Sequence, residues 1–176
     1  VVKLLSDSNI ELNARSDCGD TALMWACQNG HKDVVQLLLD YSGSNMDDFL
    51  DWGYIIDVNA TNNYGWTAFI AACCNGHKDV VKLLLDHSQR IELNASYHGG
   101  YTAFMCACES GQKNVVQLLL DHSKGIDLNA RTIEGWTAAM IACKQGHRDV
   151  VKLLLDRSDK IELNARHNHG GTALMI

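Results

Sequence analysis

Gly65-Trp-Thr-Ala-Phe-Ile-Ala-Ala-Cys-Cys-Asn-Gly-His-Lys-Asp-Val-Val-Lys-Leu-Leu-Leu-Asp86 is the stretch on which the rest of the chain is patterned. Its threonine returns as Thr21, Thr67, Thr102, Thr137 and Thr172, spaced 46, 35, 35 and 35 residues apart. A second marker, the Asn-Ala pair beginning at Asn13, Asn59, Asn94, Asn129 and Asn164, keeps the same spacing. Two markers in register along the whole chain define a tandem array. A fixed period in this range means units stacked side by side, each unable to bury its apolar face alone.

Within one unit, the sequence predicts a short helix of small residues from Thr67 to about Cys74, a break at Asn75-Gly76, and a second helix from about His77 to His87. Glycine ends a helix readily because it takes the left-handed conformation at little steric cost. Val80, Val81, Leu83, Leu84 and Leu85 make the second helix apolar around most of its circumference. Such a helix has to be covered on more than one side, and neighbouring units provide that cover.

The recurring pattern Gly-x-Thr-Ala-(Leu/Phe/Ala)-(Met/Ile), then Ala-Cys-x-x-Gly-His-x-Asp-Val-Val-x-Leu-Leu-Leu, closing with (Leu/Val)-Asn-Ala, resembles the ankyrin repeat over essentially the whole chain. The resemblance implies an all-α solenoid of stacked helix-turn-helix units joined by extended turn or hairpin loops. It departs in period, 35 residues here against about 33. There is also no proline, and the family's Thr-Pro-Leu-His reads Thr-Ala-Leu-Met at Thr21. Apolar packing by Met24, Ile70, Met105, Met140 and Met175 is expected where the family places that histidine.

The expected organisation is a single domain over 1–176. It comprises a partial repeat at 1–14, a repeat at 15–60 with an insert at about 43–55, repeats at 61–95, 96–130 and 131–165, and a partial repeat at 166–176. The array begins in a second helix and stops one turn into a first helix, without polar caps. An excerpt of a longer array is the expectation, with end-to-end stacking of chains as the alternative. The 11-residue insertion carries Phe49, Trp52 and Tyr54 among Asp47, Asp48 and Asp51. Loop insertions in repeat proteins gather on one face, so these aromatics are read either as a partner contact or as one helical turn folded back on the array.

The bulk numbers narrow the function. A formal net charge of −6 disfavours nucleic acid and anionic membranes as partners. No apolar run is long enough to insert in a membrane. Seven cysteines recur mainly at one unit position, Cys27, Cys73, Cys108 and Cys143, as small buried hydrophobes. Helices of adjacent units lie about 8–10 Å apart, which puts equivalent cysteines beyond disulfide reach. No Cys-x-x-Cys pair exists for zinc, and reduced thiols point to the cytoplasm or nucleus. No cofactor is expected.

Asp86-His87-Ser88 and Asp121-His122-Ser123 contain triad residue types, but consecutive helical residues do not face one another. No catalytic function is expected within the segment; any such activity would belong to a domain outside it. His31, His77 and His147 are read as satisfying backbone groups near the turn, and Asn59, Asn94, Asn129 and Asn164 as holding turns by bonding their own backbone in left-handed geometry. Arg15, Arg131 and Arg166 are read as solvated surface.

Core positions hold constant residue types across units, whereas others vary. The variable ones chosen as candidate partner-binding residues are Asn63, Tyr64, Trp66, His98, Tyr101, Ile133, Glu134 and Trp136 at the loop tips, with Glu109 and Lys144 near the end of the first helix. The resemblance places them on the fingertips and concave face. Trp66, Tyr101 and Trp136 are read either as binding anchors or as aromatics stacked on neighbouring turns. The leading reading is a protein-interaction module for a protein or peptide. The alternative is a structural spacer or assembly scaffold.

Overall fold

The structure, a computed structural model, describes residues 11–44, 56–87, 89–122 and 124–175. The proposed insert contacts Phe49, Trp52 and Tyr54 lie outside them. Each unit contributes a first helix opened by the recurring threonine: α1 (Ala22–Gln28), α3 (Ala68–Cys74), α5 (Ala103–Glu109) and α7 (Ala138–Lys144). The hydroxyls of Thr21, Thr67, Thr102 and Thr137 accept from the amides of Met24, Ile70, Met105 and Met140 at 3.2–3.4 Å. Each threonine thus satisfies a donor that the first turn would otherwise leave unpaired. That is the physical reason for the marker.

Second helices follow: α2 (Lys32–Ser44), α4 (Lys78–Asp86), α6 (Lys113–Asp121) and α8 (Arg148–Leu155). The first helices pack on one another in the order α1, α3, α5, α7, and the second helices in the order α2, α4, α6, α8. Two helical layers with one core between them result. Ala68, Ala72, Cys73, Ala103, Ala107, Cys108, Ala138 and Ala142 are buried in the first layer, where small side chains let helices approach closely. Met24, Ile70, Met105 and Met140 are buried as expected, whereas Met175 is exposed, because residues 172–175 end in a turn before any first helix forms.

The cover that a neighbour supplies can be read from one repeated leucine. Leu85 is 6% and Leu120 1% exposed between flanking helices, whereas Leu155, on α8 with a packed neighbour on one side, is 42% exposed. In the first complete unit α2 runs through Ser44, so it extends two residues into the stretch read from sequence as insert.

Two polar rows tie the units together. His77 Nε2 donates to the Gln28 carbonyl at 2.8 Å, Gln112 Nε2 to Cys74 at 3.1 Å, and His147 Nε2 to Glu109 at 2.7 Å. The backbone group served by each belongs to the preceding unit. At Gly111, a Cβ would meet the His147 ring at 2.7 Å, and φ is +68°. Glycine is needed there both for the turn and for the ring behind it.

The asparagines act differently from the expectation. Among the described residues no non-glycine has a positive φ. Instead Asn59, Asn94 and Asn129 reach the next unit: their Oδ1 atoms accept from the amides of Glu92, Asp127 and Glu162 at 2.8–2.9 Å. Their Nδ2 groups donate to the carbonyls of Arg90, Gly125 and Lys160, each at 2.9 Å. Local turn bonds come from Asp57 and Asp127, whose carboxylates accept from the amides of Asn59 and Asn129. The arginines also do more than sit in solvent: Arg15 donates to the Thr61 carbonyl and Arg131 to that of Arg166, while Arg166 caps Gly170.

Candidate functional site

The loops preceding the first helices form a row of turns. Ser16, Asn62, Thr132 and His167 each donate their backbone N–H to the carbonyl four residues on, at 3.0 Å. Gly19, Gly65, Gly135 and Gly170 supply the positive φ inside the turn. In three of these turns the first side chain also accepts from the amide closing the loop: Ser16 Oγ from Asp20, Asn62 Oδ1 from Trp66, and Thr132 Oγ1 from Trp136. Tyr97 has no such short acceptor. Its loop is instead a two-stranded ladder, β1 (Ser96–Tyr97) against β2 (Tyr101–Thr102), with Tyr97 opposite Tyr101.

Three of the four tip boundaries carry a backbone bond. The amide of Asn63 donates to the Cys18 carbonyl, that of Ile133 to Gly99, and that of Asn168 to Glu134, at 2.9–3.0 Å. The side chain of Asn63 also donates to the Asp17 carbonyl at 3.1 Å, so this residue is part of the frame.

On that frame the candidate residues divide by exposure. Tyr64, 56% exposed, and Ile133, 78% exposed, project from their tips, and His98, Glu134 and Lys144 are also exposed. Trp66, Tyr101 and Trp136 are half-buried against the core. Trp66 and Tyr97 have ring centroids 5.5 Å apart, and Tyr97 and Tyr101 5.6 Å, in a tilted aromatic ladder. Trp136 stacks on His167 at 4.8 Å with an interplanar angle of 1°. Lys144 Nζ lies 4.7 Å over the Trp136 ring, and Trp136 Nε1 donates to Glu134 at 3.2 Å. Loop tips and first-helix ends therefore make one surface, brought together at Trp136, Lys144 and Glu134.

The same joining occurs one unit earlier. Burial, then the Glu109 and Glu134 carboxylates, raise the Tyr101 phenol. Sequence reasoning missed Tyr97 and His167, the partners that fix Trp66 and Trp136. The available signal was the unit position holding Ser16, Asn62, Tyr97, Thr132 and His167, which varies from a capping side chain to an aromatic ring.

Cys74, part-exposed at the end of α3, has its sulfur 3.4 Å from Ser110 Oγ, which follows Cys106 of α5 by four residues. The Cys106 contact, aided by Ser110 and opposed by burial and Glu109, pulls the Cys74 thiol down to about 6. Its engagement with Cys74, then burial, pushes Cys106 the other way. Cys27, Cys73 and Cys108 are buried, and burial raises each.

The threonine-capped first helix, the Gly-His turn and the asparagine link coincide with a family model described as ankyrin repeats (three copies), which matches residues 1–93, 45–132 and 125–176. The chain belongs to the ankyrin-repeat family. Its ankyrin units are similar to part of the Probable E3 ubiquitin-protein ligase XBOS33 of Oryza sativa subsp. japonica, 51% identical over 39 residues, 22% of this chain and 8% of that protein. They are also similar to Osteoclast-stimulating factor 1 of Monopterus albus, 50% identical over 34 residues, 19% and 16% of the two chains. Ankyrin repeat domain-containing protein 63 of Homo sapiens is 48% identical over 42 residues, 24% and 11%. The matches thus span under a fifth of these relatives' length. Ankyrin repeats generally mediate protein–protein interaction and are typically non-catalytic. No helix among the described residues is long and apolar enough to cross a membrane.

Proposed function

We propose that this ankyrin array recognises a folded protein or an extended peptide through its loop tips and the concave face formed with the first-helix ends. The supporting observation is the projection of Tyr64 and Ile133, both large and well exposed, from tips each bonded through its backbone to the tip of the preceding unit. Large apolar side chains on a preorganised frame lose little freedom on binding, which leaves more of the contact energy as affinity. Trp66, Tyr101 and Trp136 supply half-covered aromatic area beside them, and Glu109, Glu134 and Lys144 supply the charge that selects among partners. Seven free cysteines fit a reducing compartment, the cytoplasm or nucleus.

The experiment is affinity capture with the intact chain beside Tyr64→Ala/Ile133→Asp, after circular dichroism shows equal helicity. Lys82→Ala/Lys152→Ala, on exposed positions of α4 and α8, serves as the matched control. A partner held by the intact chain and the lysine control, and lost by the tip variant, supports the proposal. Retention by the tip variant contradicts it.

A further inference from the structure

In the fourth complete unit the array supplies a cation to its own tip aromatic. Lys144, the last residue of α7, holds its Nζ 4.7 Å from the centre of the Trp136 ring, and the Glu134 carboxylate accepts from the indole N–H of that ring at 3.2 Å. Ring and lysine stand eight residues apart, on either side of the Thr137 cap. An ammonium over an aromatic face is drawn by the ring quadrupole, so this unit closes the contact within itself.

The third unit has the same frame and the opposite charge. Tyr101 and Glu109 are again eight residues apart around a capping threonine, Thr102, and α5 has the same seven-residue length as α7. The backbone carbonyl of Glu109 accepts from His147 Nε2 at 2.7 Å, which ties the end of the helix to the next unit. A carboxylate therefore occupies the unit position that Lys144 fills beside Trp136. The three ion pairs among the described residues are Lys113–Asp149, Arg131–Glu162 and Arg157–Asp121, so none of them neutralises Glu109. Along the array this position reads Gln28, Cys74, Glu109 and Lys144, and the third unit alone pairs a tip ring with a carboxylate.

The surface beside it is aromatic. Trp66, Tyr97 and Tyr101, with successive centroids 5.5 and 5.6 Å apart, cross the one tip boundary that has no backbone bond, and all three are half-buried against the core. Tyr64, 56% exposed, projects from the same tip as Trp66.

We propose that the third unit takes from its partner the cation that the fourth supplies for itself: a lysine or arginine side chain lies over Tyr101 with its charge on the Glu109 carboxylate. Its aliphatic stem runs along the Trp66, Tyr97 and Tyr101 rings. Long cationic side chains cover apolar surface with their methylenes while the head keeps polar company, which suits an aromatic floor with one carboxylate at its rim. The formal net charge of −6 draws the same class of partner. The inference rests on recognition at the tip row and narrows the partner to a segment carrying a basic residue beside apolar ones.

The test selects binders from a phage-displayed library of random peptides on the whole chain, then measures the recovered peptides, made synthetically, by calorimetry. The expected peptides carry lysine or arginine next to apolar residues, and norleucine or citrulline in place of that residue weakens binding roughly tenfold. Glu109→Lys gives α5 the residue that α7 already carries at this position, so the frame accommodates it; it closes the place from within and is expected to abolish binding. Glu109→Gln, which keeps the shape and removes the charge, is expected to weaken it, while Lys82→Ala/Lys152→Ala binds as the parent does. Peptides lost on Tyr64→Ala/Ile133→Asp yet indifferent to Glu109→Lys overturn the cation place and leave tip-row recognition standing. Peptides indifferent to both variants overturn both. Selection of peptides without basic residues, or of none at all, also overturns the proposal.

Discussion

Asn94 holds Asp127 across a repeat boundary: its Oδ1 accepts from the Asp127 amide at 2.8 Å while its Nδ2 donates to the Gly125 carbonyl at 2.9 Å. One amide side chain thereby fixes both the start and the entry of the next unit's Asn-Ala turn. Asparagine is required because the link needs an acceptor and a donor on one planar group. Replacing Asn94 with Ala removes both bonds at a solvent-exposed site, and a net loss of about 1–3 kcal/mol is expected. Asn94→Asp keeps the acceptor and loses the donor, so its loss should be smaller. Urea unfolding of the two variants beside the parent measures the difference.

The Gly-His turn yields an ordered series. Gln112 and His147 occupy the same unit position and make the same bond to the preceding unit. His147→Gln should therefore be nearly neutral, and His147→Ala should cost about 1 kcal/mol. Gly111→Ala should cost more than either, because the new Cβ meets the His147 ring and φ is +68°. Thermal melts in that order check it; a Gly111→Ala variant as stable as the parent would contradict the role given to this glycine.

Cover by neighbours separates two leucines of identical type and unit position. Leu120→Ala, between flanking helices, is expected to cost about 2–5 kcal/mol. Leu155→Ala, at a helix covered on one side, should cost much less, since much of its surface already meets water. Denaturant titration distinguishes them, and equal losses would mean that stacking does not set the burial.

The Cys74 thiol gives a pH prediction. Its pKa lies at about 6, so its alkylation by iodoacetamide should be half-maximal near there and level above neutral pH. A free peptide thiol, with a pKa of about 8.5, rises through that later range. Because a lower pKa also weakens the nucleophile, Cys74 should lead by roughly tenfold at pH 6 and lose that lead by about pH 8.5. Ser110→Ala should move the midpoint upward by removing one hydrogen bond to the thiolate. Mass-spectrometric alkylation rates across pH settle it.

Much of the fold was legible because the period repeats it. Thr67, Gly76 and the Val80 to Leu85 run each state their place several times over, and the structure puts each there. The asparagine row misled for a physical reason: local turn chemistry explains an asparagine equally well, and a bond to the next unit leaves no trace within its own. Met175 was expected in the core by analogy with Met140, but burial depends on a helix forming around it. Trp66 and Trp136 were recognisable as unusual, yet their stacking partners Tyr97 and His167 sit at a position usually filled by a capping side chain.

Site-specific photo-crosslinking decides whether recognition occurs on the tip row. Benzoylphenylalanine is placed singly at positions 64, 133, 82 and 152, and the purified chains are irradiated with a cell extract. The predicted result is a crosslinked protein at positions 64 and 133, suppressed by excess unlabelled parent chain, with none at 82 and 152. Competable crosslinks at 82 or 152 without any at 64 or 133 would contradict it and move recognition to the second-helix face.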